Sequence, residues 1–333
     1  MSETPTDVKD ITIIGGGPVG LFGAFYAGVR ECSTRIIDSL PELGGQLTAL
    51  YPEKYIYDMP GFPKIRAKDL VARMVDQGLW KNPQVCLNEQ AQELHFDEAS
   101  GLYALKTSKG VRWSRTVILC AGIGSLQPTR LDRPGVEELV DKGVYYVVRN
   151  PEQWAGKRVV IVGGGDSAVD WALHLAPIAK KLTLVHRRDV FRAHEGNVRE
   201  LMKQPIEILL WWVVEEAHGT DHLEAVTIRN TKTGELRTLE ADALIIQIGF
   251  KSDPGPIRSW GLELHGGQVV VDRHMETNRK GVFAAGDIAW YDGKLKLIAV
   301  GVGEVAIAVN YAKVHIDPNS KVFPGHSSDM GLR

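Results

Sequence analysis

The chain has 333 residues, 44% hydrophobic and 24% charged, which suits a soluble globular protein of two ordinary domains. Its 39 basic and 41 acidic residues leave a net charge of −2, so no cationic excess argues for nucleic acid or an anionic membrane surface. The longest all-apolar run, Ile208 to Val214, is far short of a membrane span, and Met1 to Asp10 shows no secretory pattern, so a cytoplasmic protein is expected.

A β-branched run, Ile11 to Ile14, predicts a buried parallel strand. It enters Gly15-x-Gly17-x-x-Gly20, with Pro18 presetting the first turn of a helix over Pro18 to Arg30. In a dinucleotide-binding turn, the first glycine permits the tight corner, the second admits a pyrophosphate, and the third lets helix and strand pack closely. The helix dipole then faces the phosphates. A short strand, Thr34 to Ile37, ends at Asp38, eighteen positions after Gly20, where a carboxylate should meet a ribose hydroxyl pair; the alternative is a solvated strand end.

From Ser39 to Lys64 the chain is rich in Gly, Pro and Tyr and predicts a long functional loop. Tyr51, Tyr55 and Tyr57 are candidates for stacking on something flat, or for packing the loop to the body. A helix is expected over Ala67 to Trp80, then short alternating strands from Ala91 to Trp113 with a hairpin at Lys109-Gly110. The buried strand Thr116 to Leu119 ends at Ala121-Gly122-x-Gly124, a place for the chain to leave one domain.

The opening pattern then repeats. Val159 to Val162 enters Gly163-x-Gly165-x-x-Ala168, and a helix is expected from Ser167 to Ala176, preceded by Asp166. The next strand, Leu182 to Val185, ends at His186, Arg187 and Arg188, with Arg192 four further on. Guanidinium forks suit a phosphate bidentately, so this site should prefer a nicotinamide cofactor carrying the 2′-phosphate. Glu207 to Val214, Leu223 to Asn230 and Leu236 to Ile248 read as strands, with the apolar strand Ala243 to Ile248 ending at a hinge glycine, Gly249. A short strand, Gly281 to Ala285, leads to Gly286-Asp287, and a longer helix over Val302 to Val314 follows. The three cysteines, Cys32, Cys86 and Cys120, form no Cys-x-x-Cys pair, and no metal site is signalled.

Two dinucleotide turns, one with an acidic strand end and one with a basic one, argue for two different dinucleotides and a hydride relay between them. FAD is the expected occupant of the first and NADPH of the second. Asp287 offers a further contact to a polyol, and the helix near Gly303 could face the flavin with its N-terminus.

The glycine turns, His186-Arg-Arg-Asp-Val-Phe-Arg192 and Ala285-Gly286-Asp287 together resemble the low-molecular-weight thioredoxin reductases. That resemblance implies an α/β fold of two Rossmann-like domains, with the NADPH domain, 121–249, inserted into a discontinuous FAD domain, 1–120 and 250–333. That family carries Cys-x-x-Cys just ahead of the second dinucleotide strand; here Tyr145 to Trp154 holds no cysteine. The better match is the thioredoxin-reductase-like ferredoxin–NADP(+) reductases, on Leu43-Gly-Gly-Gln46 through Tyr51 to Asp58 and on the tail around His326-Ser327. The resemblance implies FAD contacts from Gln46 and Ser327, and a homodimer in which Tyr51 stacks on one flavin face and the partner subunit's His326 on the other. NADPH contacts are expected from Gly163, Gly165, Asp166, Ser167, Ala168, His186, Arg187, Arg188 and Arg192. FAD contacts are expected from Gly15, Gly17, Pro18, Gly20, Asp38 and Asp287 as well.

The expected activity is electron transfer between NADPH and ferredoxin or flavodoxin, with the mobile tail gating nicotinamide access. Lys54, Lys64, Arg66 and Lys68 read as a basic cluster suited to an acidic carrier. An NAD(P)H oxidase, a quinone or flavin reductase, and a non-catalytic redox sensor are the rival readings.

Overall fold

The computed structural model describes residues 5, 7–50, 52–122, 124–148, 150–253 and 255–326. The chain forms two compact units, residues 1–125 with 252–333, and residues 126–251. The crossings thus fall a few residues beyond the positions expected at 120 and 249.

In the first unit, β1 (Val8–Ile14) is the central strand. It pairs in parallel with β2 (Thr34–Ile37) on one side, placing Ile13 opposite Ile36, and with β6 (Gly110–Leu119) on the other, opposite Ile118. Ile11, Ile13 and Ile36 are wholly buried, each contributing about 1.5–3 kcal/mol of burial free energy. Helix α1 (Pro18–Val29) lies on β1 through the small face Gly20, Gly23, Ala24 and Ala27. The expected loop after β2 contains a short helix, α2 (Gln46–Ala49), and α3 (Ala67–Gly78) begins where the sequence places it. Next come β3 (Gln84–Cys86), β4 (Ala91–Asp97) and β5 (Leu102–Thr107), giving the order β3-β2-β1-β6-β5-β4. Strand β6 is long because it serves two neighbourhoods. Its first half pairs with β5 and keeps exposed positions, and from Thr116 to Leu119 every residue is buried. That change in burial is the sequence pattern expected when layers cover both faces.

The second unit has a parallel sheet of five strands in the order β7-β14-β8-β9-β10. Its members are β7 (Val144–Tyr145), β8 (Arg158–Gly163), β9 (Lys181–His186), β10 (Glu207–Leu210) and β14 (Ala243–Gln247). Alternation sorts the strand residues between two cores. Val159, Ile161, Leu182 and Leu184 face α4 (Asp166–Leu175), whereas Val160, Val162 and Val185 join the layer formed by β11 (Trp212–Gly219), β12 (Leu223–Asn230) and β13 (Leu236–Glu240). A further helix, α5 (Glu195–Leu201), packs beside α4.

Two expected strands are each split in two. The run Glu207 to Val214 breaks at Trp211, whose φ of 67° turns the chain from the parallel sheet into the antiparallel layer. Thr231 N donates to the Trp211 carbonyl over 2.7 Å, and Lys232 Nζ sits 3.7 Å from the indole ring centre, so this unusual backbone is held from outside. The run Leu236 to Ile248 breaks at Asp242, whose carboxylate accepts from Arg158 N at 2.8 Å and from its guanidinium Nη2 at 2.6 Å. Arg158 holds the Asp242 carboxyl down at about 2.

Back in the first unit, β15 (Val282–Ala284) joins the sheet parallel to the second half of β6. Helix α6 runs over Ile298–Ile316, four residues earlier than expected, because Gly301 is accommodated inside it rather than before it. Beyond α6 the chain is tied down by Arg30. Its Nη1 donates to Asn310 Oδ1 at 2.6 Å and to the Val322 carbonyl at 3.1 Å, while Nη2 donates to the Lys321 carbonyl at 2.7 Å.

Charged hydrogen bonds of this kind contribute about 1.5–3 kcal/mol, so Arg30→Ala should speed tryptic cleavage after Lys321 roughly tenfold or more. Mass spectrometry of a digestion time course checks it; an unchanged rate at that bond would mean other contacts hold the segment.

Candidate functional site

The first glycine turn is built by backbone meeting backbone. Gly15 has φ of 111°, and a methyl there would overlap the Cys120 carbonyl. A methyl on Gly20 would overlap the Gly15 carbonyl. Gly17 is the N-cap of α1 and has no side-chain cap, Pro18 follows it, and the nearest atom to a methyl at Gly17 would be Gly45 Cα, 3.8 Å away. The start of α1 therefore presents backbone N–H groups with no side chain over them, the arrangement that receives a phosphate.

Asp38, 9% exposed, stands at the end of β2. Its Oδ2 accepts from Gly16 N at 2.6 Å and its Oδ1 from Leu40 N at 2.9 Å. Burial pushes its carboxyl up, and those N–H groups pull it back. The residue braces the turn, and each oxygen retains a lone pair for a hydroxyl. The Leu43–Gln46 segment is docked on the same turn, since Gly44 N donates to the Gly16 carbonyl at 2.8 Å. Gln46 opens α2, with its side-chain amide against Gly122.

The Gly286-Asp287 turn packs against this corner. A methyl at Gly286, φ 78°, would lie 3.1 Å from Val19 Cγ2, and one at Gly301 in the first turn of α6 would lie 3.1 Å from Gly286 Cα. Asp287 is half-buried, and burial raises its carboxyl, opposed by Lys294 and Lys296. Beneath it lies a feature that sequence reasoning missed. Glu304, 4% exposed, accepts from Gly286 N at 2.8 Å, from the Tyr291 hydroxyl at 2.6 Å, and from Lys294 Nζ at 2.5 and 2.6 Å. Burial and this carboxylate push the Tyr291 hydroxyl up to about 12. One signal was available: Glu304 is the sole charged residue from Leu297 to Val309.

The second turn repeats the first with different chemistry. A methyl at Gly163, φ 154°, would overlap the Gln247 carbonyl, and Ala168 Cβ lies 2.8 Å from that point. Ala168 is fully buried, so it acts by packing. Gly165 caps α4 without a side-chain bond and has no atom within 4 Å of a methyl placed on it. Asp166 and Ser167 form the first turn of α4, and Asp166 Oδ1 accepts from His194 N at 2.9 Å.

His186 is placed differently from a ligand. Its ring lies over Gly164, stacked on Phe191 at 5.0 Å, and Nε2 donates to the Val190 carbonyl at 3.1 Å. Burial lowers its pKa, with the three nearby arginines adding to that, so the ring is neutral near pH 7. Arg187, Arg188 and Arg192 are exposed, and the backbone of Arg192 is pinned to Gly164 by a 2.7 Å hydrogen bond. Among the described residues none of these guanidinium groups has an ion-pair partner. They form a cationic rim beside an open helix N-terminus.

Tyr51 and Ser327 lie outside the described residues. His326 is exposed and meets Phe323 edge-on at 5.5 Å. The basic cluster near the Tyr loop is less free than its sequence suggests. Glu53 pairs with Lys68 at 2.7 Å and with Arg66 at 3.5 Å, and Lys64 Nζ lies 4.1 Å over the Tyr55 ring. All three cysteines are free thiols, and burial pushes each up, Cys32 to about 11. None is poised as a thiolate.

Two open glycine cradles, one beside carboxylates and one beside arginines, fit two dinucleotides of different phosphate content. Known proteins agree in kind. The pyridine nucleotide-disulphide oxidoreductase family model matches residues 9–308. A Bacillus thuringiensis protein named ferredoxin--NADP reductase 2 is 50% identical, covering 97% of each chain. A Geobacillus thermodenitrificans protein named ferredoxin--NADP reductase is 47% identical over 97% of this chain and 98% of its own. Among solved structures, Lactococcus lactis thioredoxin reductase superposes with a TM-score of 0.79 at 26% identity, over 92% of this chain and 99% of its own.

The packing of the first turn makes a direct prediction. Gly20→Ala forces a methyl into the Gly15 carbonyl and should cost about 1–3 kcal/mol of stability, as overpacking does. Denaturant titration checks it; a variant as stable as the parent would mean that helix and strand are free to move apart here.

Proposed function

The chain belongs to the pyridine nucleotide-disulphide oxidoreductase family, and from that premise we propose that it transfers electrons between NADPH and ferredoxin through a bound FAD. The observation that carries this reading is the pairing of an acidic and a cationic glycine turn in a chain whose three thiols are all buried or half-buried and unpaired. When bound, FAD would supply the exchange between hydride and single-electron chemistry, so that one NADPH and two oxidised ferredoxins would give NADP+, a proton and two reduced ferredoxins.

The chain's own residues bind and orient. The first unit is the FAD unit. Gly15, Gly17, Pro18 and Gly20 offer the start of α1 to the diphosphate, Asp38 accepts from the ribose, and Asp287 and Gln46 accept and donate further along the cofactor. The second unit is the NADPH unit, where Gly163 to Ala168 shape the cradle and Arg187, Arg188 and Arg192 take the 2′-phosphate. His186 acts there as a brace, since its ring is already spent on Gly164, Phe191 and Val190. Tyr51 and His326 stack on the two flavin faces, the histidine arriving from a second copy of the chain. The exposed Phe323, held out on a segment anchored by Arg30, supports that homodimer. Flavodoxin serves as an alternative carrier, and the enzyme works in the cytoplasm, where both carriers meet NADPH.

Stopped-flow mixing tests the reading. NADPH should bleach the flavin much faster than NADH, and ferredoxin should reoxidise it faster than oxygen alone; rapid oxygen turnover without ferredoxin would favour an oxidase. Arg188→Ala should raise the KM for NADPH about tenfold or more, given about 1.5–3 kcal/mol for a charged hydrogen bond, with the NADH value unmoved. Gly165→Ala should leave stability within about 0.5 kcal/mol, since nothing meets its methyl, yet weaken NADPH binding because that methyl enters the cradle. Fluorescence titration with NADPH beside a melting curve separates the two effects.

A further inference from the structure

The ion pair beneath the Gly286-Asp287 turn has no part in holding a nucleotide directly, yet it is costly to build. Lys294 and Glu304 side chains are each 4% exposed, and the carboxylate accepts four hydrogen bonds from three groups. One of those donors is Gly286 N, so the pair is joined through a single residue to Asp287. Gly286 in turn packs on Val19 in the first turn of α1, and Gly301 of α6 packs on both. The charges therefore lie at the junction of every element that would line the FAD cradle on this side.

A buried pair of this kind contributes little to net stability compared with apolar residues, so stability alone does not account for it. Its electrical property is more distinctive. As a pair it is neutral, whereas either member alone would leave an unscreened charge at the junction. We propose that Lys294 and Glu304 are positioning residues that fix the Gly286-Asp287 turn while keeping it electrically neutral, and so set the reduction potential of the bound flavin. The inference rests on the reading that FAD occupies the first glycine turn. It assigns the pair to tuning the cofactor rather than to gripping it.

The test uses the flavin-loaded protein and three variants. Glu304→Gln keeps an acceptor for Gly286 N and leaves the lysine charge; Lys294→Met leaves the glutamate charge; the double variant removes both charges. A positive charge stabilises added electrons and a negative one opposes them. The equilibrium between flavin and a reference redox dye should therefore move about tenfold toward reduced flavin in Glu304→Gln and about tenfold the other way in Lys294→Met. The double variant should return close to the parent.

Asp287, Tyr291 and Cys120 feel the Glu304 charge, and Asp287 that of Lys294 as well, so the test reads the sign of each shift at one fixed pH. Shifts of the same sign in both single variants would show only a loosened turn and overturn the inference, as would no shift in either. If Lys294→Met does not fold, Glu304→Gln against the double variant decides the matter by the same sign. A parent protein that neither carries nor takes up FAD would instead overturn the functional reading on which this one stands.

Discussion

The architecture depends on one steric constraint, the approach of backbone to backbone with no space for a Cβ. At Gly15 the corner lies against the Cys120 carbonyl, and at Gly163 the same corner lies against the Gln247 carbonyl. In both units the neighbouring parallel strand supplies the wall, β6 in one and β14 in the other. The corner must be tight because the helix that follows has to start directly over the sheet edge with its N–H groups uncovered. Two of the polar residues assigned to the cofactors are bonded directly to these corners. Asp38 reaches its corner through Gly16 N, and Arg192 through the Gly164 carbonyl.

The two turns also show how one topology serves two ligands. The middle glycine of each turn faces the residue that ends the second strand: Gly16 faces Asp38, and Gly164 faces His186. Each of those residues fills the space beside the turn and is held there, one by two backbone N–H groups and the other by Val190 and Phe191. The strand-end position thus has a packing duty before it has a recognition duty. In the first unit an acidic residue performs both. In the second the duties separate, with a neutral imidazole bracing the turn and the arginines that follow it carrying the charge. Position eighteen after the last residue of the turn pattern is a good pointer to the site and a poor pointer to which atom touches the ligand.

Most of the fold was legible because it rests on short-range pattern. The two strand–glycine–helix corners, the strand Thr34–Ile37 and the return at Gly286-Asp287 could each be read from a run of apolar residues and the glycines beside it. What stayed hidden depended on partners distant in sequence. Trp211 lies inside the longest apolar run, and Thr231 and Lys232, distant in sequence, hold it in a conformation that breaks the strand. Gly301 looks like a helix breaker in sequence, yet it is the residue that lets α6 begin early, against Val19 and Gly286. The basic cluster around Lys64 read as open because Glu53, within the same loop, gave no sign of which cations it would pair with.

The family name promises disulphide chemistry, and here the scaffold has kept its two nucleotide cradles without it. Cys120 shows why the change is chemical rather than architectural. Its carbonyl is the wall against which Gly15 turns, so the residue is at the centre of the first cradle, but its thiol is buried and pushed up far from the thiolate form. Cys32, just past the end of α1, is buried in the same core, and its thiol is pushed up likewise. A thiol held in its neutral form is a poor nucleophile toward a disulphide, and thiols that are not paired with one another offer a flavin no disulphide to reduce. Electrons entering this scaffold have no internal acceptor among its cysteines, and must leave through a carrier that docks from outside. That requirement places the burden of control on the environment of the flavin itself, where a carboxylate held by three donor groups and a buried lysine stand against the turn that would hold it.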